Sequence, residues 1–267
     1  MSSARLTLLT LASLLGLEAD GRAEPPPPLA YTLEVDAPIT LAGGAAWFTA
    51  IALRETIGPA TCRWCATNSF DLDARRALLW RDPLAAETLV DVIGFAVGPA
   101  LTLGADLLAA SHDGAWRDAL ADGLLVAEAA TIASDVNLAV RFAVGRQRPY
   151  AWAAEQSPAT SGQATSTRDA NMSFYSGHAT MMFAVAASAG TVASMRGYRW
   201  TPLVWMVGLP FAFATGYLRV ASDDHWMTDV LVGTAAGTAM GVAIPTLAHR
   251  RVRIVPSGSG VSVVGSF

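Results

Sequence analysis

The 267-residue sequence contains no lysine, and all 18 of its basic residues are arginine. These form no basic stripe, so neither DNA nor RNA is an expected partner. Charge of either sign is scarce, at 15% of residues, where ordinary soluble domains carry about 25%. Hydrophobic residues reach 52%, which leaves two arrangements, a membrane-embedded chain or a densely helical one. Cysteine is limited to Cys62 and Cys65, in the string Cys62-Arg63-Trp64-Cys65. No further ligands stand nearby to complete a zinc site. Nothing around the pair alternates strand and helix as a thioredoxin-like redox site requires. A small structural disulfide is the expectation in an exported protein. There is no internal repeat, and the length suits one substantial domain with a targeting segment and a short tail.

Residues 1–23 carry Arg5, the apolar run Leu6 to Leu17, and small residues ending at Gly21-Arg22-Ala23. This resembles a secretory signal peptide, with an uncleaved anchor as the alternative. Residues 24–36 read as a proline-rich linker stiffened by Pro25 to Pro28. Residues 37–248 hold apolar segments of helical length: Ala37–Leu53, Leu89–Ala110, Leu120–Phe142, Gly177–Met195, Trp200–Leu218 and Val230–Ala248. Together they predict an all-α bundle of about six helices. The last three each run 19 residues without an acidic or arginine side chain, enough to span a bilayer core of ~30 Å. The two before them carry Asp91 and Asp106, then Asp122, Glu128 and Asp135, which predicts wet or paired faces. The stretch Pro149 to Tyr175, rich in Ser, Thr, Ala and Gln, predicts a long loop. In the tail, residues 249–267, short β-branched runs flank Pro256-Ser257-Gly258-Ser259-Gly260, the pattern of a β-hairpin.

Three separated strings carry the chemistry. In Arg141-Phe142-Ala143-Val144-Gly145-Arg146-Gln147-Arg148-Pro149, Arg141 and Arg148 are seven apart, near one face of a helix that Pro149 would end. Guanidinium groups ~10 Å apart along a helix converge on one tetrahedral anion, whose oxygens match their planar donors. In Ser173-Phe174-Tyr175-Ser176-Gly177-His178, Ser176 is positioned to cap the following helix, whose free amides attract anions. Gly177 permits close backbone approach, and His178 in the first turn can protonate a leaving oxygen. In Arg219-Val220-Ala221-Ser222-Asp223-Asp224-His225-Trp226-Met227-Thr228-Asp229, His225 and Asp229 stand one helical turn apart. The carboxylate is thereby expected to hold the distal imidazole N–H and leave the other nitrogen free to attack. Asp223 and Asp224 read as helix caps, and His112 and His249 as surface or helix-end residues outside any motif.

The order Arg-x6-Arg-Pro, then Ser-Gly-His, then Arg-x5-His-x3-Asp resembles the three-part signature of the type 2 phosphatidic-acid phosphatase and vanadium haloperoxidase superfamily, over Arg141 to Asp229. The resemblance implies that Arg141, Arg148 and Arg219 bind phosphate with help from Ser176 and the Gly177 amide. It further implies that His178 is the general acid, His225 the nucleophile that forms a phosphohistidine, and Asp229 its partner. No metal or other cofactor is implied, and vanadate is expected to occupy the phosphate site. Three positions depart from the family pattern: Arg141 stands where Lys is common, Tyr175 in place of Pro, and Leu218 in place of Ser.

The expected activity is metal-independent hydrolysis of a phosphate monoester or pyrophosphate, of a lipid or a small phosphoester. The alternatives are a vanadium-dependent haloperoxidase and a non-catalytic phospholipid-binding membrane protein. Arg196, Arg199, Arg250, Arg251 and Arg253 fall on the far side of the late apolar segments from the motifs. The positive-inside rule then expects an inner-membrane protein with a periplasm-facing site. That orientation requires either that Ala37–Leu53 does not cross or that the N-terminus is not cleaved. A soluble periplasmic protein is the alternative, because acidic groups inside helices are costly in lipid.

Overall fold

The structure, a computed structural model, describes residues 29–156 and 168–249, together with the backbone of two strands near the C-terminus. The expected signal peptide and Pro25 to Pro28 lie outside the described residues. The long helices are α1 (Leu33–Ala52), α3 (Pro83–His112), α4 (Ala119–Val144), α6 (Gly177–Arg196), α7 (Thr201–Ala221) and α8 (Met227–Ala248). Short helices α2 (Ser69–Leu78) and α5 (Pro149–Gln156) and a single turn at Arg54–Ile57 join them, so the expected number of about six leaves these out. Strands β1 (Val252–Ser257) and β2 (Gly260–Gly265) pair antiparallel, with Val252 opposite Gly265.

Several boundaries differ from the expectation for local reasons. Helix α1 opens at Leu33, inside the stretch read as linker. Glu34 and Asp36 in its first turn suit the positive end of the helix dipole, and Asp36 Oδ2 accepts the Thr32 N–H at 2.7 Å. Pro149 does not end the helix that carries Arg141. Gly145 does so, adopting the left-handed conformation at φ 64° and returning its N–H to the Arg141 carbonyl. Pro149 instead begins α5, within the expected loop, because proline at the first helical position loses no hydrogen bond. Arg148 therefore sits on the link between two helices. In α3 a π-helical turn, Ile93–Val97, precedes Pro99. Proline has no N–H for the carbonyl four residues back, and the widened turn accommodates that loss.

Helix α6 is the axis of the bundle, with fifteen of its twenty residues buried against α4, α7 and α8. Its small Ala, Gly, Ser and Thr side chains let the neighbours approach closely. They also dilute its hydropathy, so α6 is absent from the five helices long and apolar enough to cross a membrane: α1, α3, α4, α7 and α8. Of the three late segments expected to span, Trp200–Leu218 and Val230–Ala248 fall on two of those five helices, and Gly177–Met195 is the buried one at their centre. The outer helices present large apolar side chains outward, including Leu41, Phe48, Phe213 and Leu247. Two carboxylates of α4, Asp122 and Glu128, face inward to partners. Asp122 accepts from Arg196 Nε at 2.8 Å and from the Tyr198 hydroxyl at 2.7 Å, and Glu128 Oε2 lies 3.2 Å from His249 Nε2. Of the two expectations for His249, surface or helix end, the second holds: it closes α8 and is only 2% exposed.

Gly233, Gly237 and Gly241 form one stripe of α8 laid on the backbone of α6. A Cβ at position 237 would lie against the Thr180 carbonyl, in overlap. Replacing Gly237 with leucine forces the two axes apart, and overpacking of this kind costs about 1–3 kcal/mol. Gly237→Leu is expected to lower the thermal midpoint in detergent, whereas Gly44→Leu, at an open position, leaves it unchanged.

Candidate active site

The helices alternate in direction, so each long helix brings one end to a single cavity of about 300 Å³. Trp47 and Ile51 come from the end of α1, Asp91 and Phe95 from the start of α3, and Asn137 and Arg141 from the end of α4. Gly177 and His178 come from the start of α6, Arg219 from the end of α7, and His225 from the turn before α8. Arg148 and Asp169 reach the cavity from the α4–α5 link and the approach to α6. The three strings of the sequence thus meet at one place. Of the residues singled out from the sequence, Arg141, Arg148, Gly177, His178, Arg219 and His225 line the cavity. Ser176 and Asp229 do not. Ser176 is fully buried at the start of α6, and its hydroxyl is without a hydrogen-bond partner among the described residues.

His225 is 2% exposed. Its Nδ1 lies 2.7 Å from the Ser173 carbonyl, which can only accept, so Nδ1 carries the proton and the Nε2 lone pair is left free. The expected bond to Asp229 is not formed. Asp229 Oδ2 stands 3.8 Å from Nδ1 and instead accepts from the Ser173 hydroxyl at 2.5 Å and the Trp226 N–H at 3.0 Å. The carboxylate therefore acts on the imidazole through the segment that holds it. Burial, then the Arg219, Arg148 and Arg141 guanidiniums, keep the His225 imidazole well below the ordinary histidine range.

Beneath this turn lies Arg146, wholly buried and not foreseen from the sequence. Its guanidinium donates to Asp229 Oδ1 at 2.5 Å and Thr228 Oγ1 at 2.8 Å through one nitrogen, and to Asp71 Oδ2 at 2.7 Å through the other. It is stacked 4.2 Å from the centre of the Trp64 ring. Asp71 in turn accepts the Thr228 N–H at 2.8 Å. The Cys62–Cys65 disulfide closes the loop that presents Trp64, and the Arg63 N–H donates to the Gly145 carbonyl at 2.8 Å.

Carboxylates accompany every cation of the cavity, and sequence reasoning missed this. Asp224, expected to cap a helix, joins Arg148 and Arg219, each at 3.0 Å. At the N-terminus of α8 Trp226 holds the cap position instead, and its backbone N–H donates to Asp229 Oδ2. Asp223 adopts φ 65°, a left-handed conformation that Asp tolerates better than most residues, and is held by Arg75 through two bonds of 2.5 and 2.6 Å. Asp169 is 3.1 Å from Arg148 and 3.4 Å from Arg54. Burial works to raise the Asp169 carboxyl, but Arg148, Arg141 and Arg54 outweigh it and hold it below the ordinary range. Burial likewise opposes the Arg148 charge, and Asp169 and Asp224 overcome it and raise that group. Four arginines (54, 141, 148, 219) thus face four carboxylates (Glu87, Asp91, Asp169, Asp224) around the cavity. Such a balanced lining can select a ligand by the placing of donors rather than by net charge. One such donor is Arg219 Nε, buried and without a partner among the described residues.

His178 Nε2 lies 2.9 Å from Asp91 Oδ1, and Phe95, carried outward on the π turn, packs 4.4 Å from the imidazole centre. Trp47 lies 6.1 Å beyond Phe95. The polar floor of the cavity is continued by an aromatic wall toward the outer face of α1 and α3. Asp91 was visible in the sequence only as an acidic interruption of an apolar segment.

A family model, that of the PAP2 superfamily, matches residues 122–253. Among solved structures the chain is similar to a transmembrane PAP2-type phosphatidylglycerolphosphate phosphatase from Bacillus subtilis. That similarity is at 18% identity and a TM-score of 0.45, covering 79% of this chain and 96% of that one. No curated protein matches.

The Arg146 cluster makes a direct test. Removing one partner from a buried ion cluster costs about 3–5 kcal/mol, because the remaining charges lose their compensation. Arg146→Met, similar in length and uncharged, strands Asp71 and Asp229 and is expected to lower the thermal midpoint sharply in detergent. Arg76→Met, on an exposed pair with Asp73, is expected to leave it within error.

Proposed function

The chain belongs to the PAP2 superfamily, and from that membership we propose that it is a membrane-embedded, metal-independent phosphatase acting on the phosphate of an amphiphile. The observation that carries this reading is the convergence of Arg141, Arg148 and Arg219 with His178 and His225 on one cavity. In this reading the three guanidiniums and the Gly177 amide take the phosphoryl oxygens. The free Nε2 of His225 attacks phosphorus in line, and the proton on Nδ1 stays bound to the Ser173 carbonyl while positive charge develops on the ring. His178, oriented by Asp91, gives its proton to the leaving oxygen and then takes one from the water that hydrolyses the phosphohistidine. Asp229 positions this machinery through Ser173 and Trp226 rather than by contact with the imidazole. Asp224 and Asp169 hold the arginines until the dianionic phosphate competes for them.

The aromatic wall of Phe95 and Trp47 beside the phosphate floor favours a substrate whose leaving group is apolar. Five helices of spanning length and their outward apolar side chains place the enzyme in a bilayer in this reading. Because α1 has the length to cross and α6 runs back between α4 and α7 as a sixth crossing, the even number puts the start of α1 and the end of α8 on one side and the cavity on the other. That agrees with an uncleaved N-terminal region and with an oxidised Cys62–Cys65 pair on the cavity side, the periplasm.

Phosphate release from phosphatidic acid, a polyprenyl pyrophosphate and a soluble aryl phosphate, measured in excess chelator, tests the reading. Wild type is expected to turn over with a preference for the lipids, and His225→Ala to lose essentially all release. Near-normal turnover by that variant would falsify the assignment, and halide oxidation requiring vanadate and peroxide would assign the chain to the haloperoxidases instead. His178→Ala is expected to lose about 10²–10⁴-fold. A nucleophile must be neutral, and the His225 pKa is lowered, so the acid limb of kcat/KM for a substrate of fixed charge should fall below pH 6.5. A limb above pH 7 would contradict the assigned environment.

A further inference from the structure

At the end of the bundle remote from the cavity, three side chains from distant parts of the chain meet: Asp36 in the first turn of α1, Glu128 within α4, and His249 just past α8. Each is more than nine-tenths buried. One potential ligand atom from each lies within 4.8 Å of the others. The His249 ring is fixed by its Nδ1, 2.9 Å from the Ala30 carbonyl. A carbonyl only accepts, so Nδ1 holds a proton and Nε2 is the nitrogen that points inward. It meets Glu128 Oε2 at 3.2 Å, and neither atom has a hydrogen-bond partner among the described residues. Either a proton on Nε2 or a cation must therefore stand between these two atoms. Asp36 reserves Oδ2 for the Thr32 N–H at 2.7 Å, which leaves Oδ1 available.

We propose that Asp36, Glu128 and His249 form a divalent-cation site of the Zn²⁺ class, which ties the start of α1 and the end of α8 to the middle of α4. A histidine that gives its second N–H to a backbone carbonyl is the usual arrangement of a metal ligand, because that bond fixes the tautomer and aims the lone pair. Donors about 2.1 Å from a tetrahedral ion are about 3.4 Å apart; His249 and Glu128 already have that spacing, and Asp36 closes the remainder. One imidazole nitrogen with two carboxylates favours Zn²⁺ over Mg²⁺, which prefers oxygen and retains its waters. A cavity of about 510 Å³, lined by Tyr31, Val35 and Ile39 among others, gives the ion and a completing water access. The site is separate from the phosphate cavity and does no chemistry in the proposed reaction.

The test uses full-length protein purified in detergent with a tag free of histidine, stripped with chelator and then loaded with Zn²⁺ or Co²⁺. Wild type is expected to retain one Zn²⁺ per chain after gel filtration, to gain thermal stability with it, and to show enhanced visible absorption with Co²⁺. His249→Ala and Glu128→Gln are expected to weaken retention at least tenfold while their phosphate release at low temperature persists. No retained Zn²⁺ in wild type, or equal retention in both variants, overturns the site and leaves a protonated His249 paired with Glu128. Should either variant fail to fold, the Co²⁺ spectrum of wild type decides alone, and a spectrum like that of free Co²⁺ counts against the site. Metal content is read without turnover, so this outcome is independent of the proposed phosphatase activity.

Discussion

The turn that carries His225 depends on one buried cation, Arg146. A guanidinium removed from water must find its compensation in the protein, and here the two terminal nitrogens find Asp71, Asp229 and Thr228 while the face of Trp64 covers the group. Those partners come from α2, the start of α8 and the loop of the disulfide, so satisfying one charge fixes three separate segments. Asp229 then passes this order on through Ser173, whose carbonyl sets the tautomer of His225. Without the cluster the imidazole would be at the right position in sequence with no defined orientation in the cavity.

The cavity itself is balanced rather than strongly cationic. Asp224 spans Arg148 and Arg219, and Asp169 spans Arg148 and Arg54, which keeps long side chains in place at little cost in net charge. Such a site discriminates by geometry, since an anion gains only when its oxygens satisfy several preplaced donors at once. The same logic of paired burial governs the far end of the bundle. There Asp122 and Glu128 of α4 meet Arg196, Tyr198 and His249, so an apolar helix carries these two acids without exposing them to lipid.

Small residues make both ends possible. Helix α6 approaches its neighbours closely because it is built of Ala, Gly, Ser and Thr, and the glycine stripe of α8 meets it backbone to backbone. A wider axis would draw the start of α6, with Gly177 and His178, away from the arginines of α4 and α7.

By itself the sequence determined the helical class, the extents of most apolar segments, and six of the seven residues by which the three strings line the cavity. Those features are local: hydrophobic period and length mark the helices, and reactive residue types at short spacing mark the motifs. The resemblance to a known family then put the strings in one context. Helix ends were less legible, because Gly145 stops α4 and Pro149 starts α5 through backbone effects that the arginine spacing concealed. What only the tertiary structure decided is partnership. Arg146 meets Asp71 across 75 residues, His178 meets Asp91 across 87, and His225 finds the Ser173 carbonyl across 52. No local pattern encodes such pairs, because a buried charge takes whichever partner the packing of the helices brings within reach.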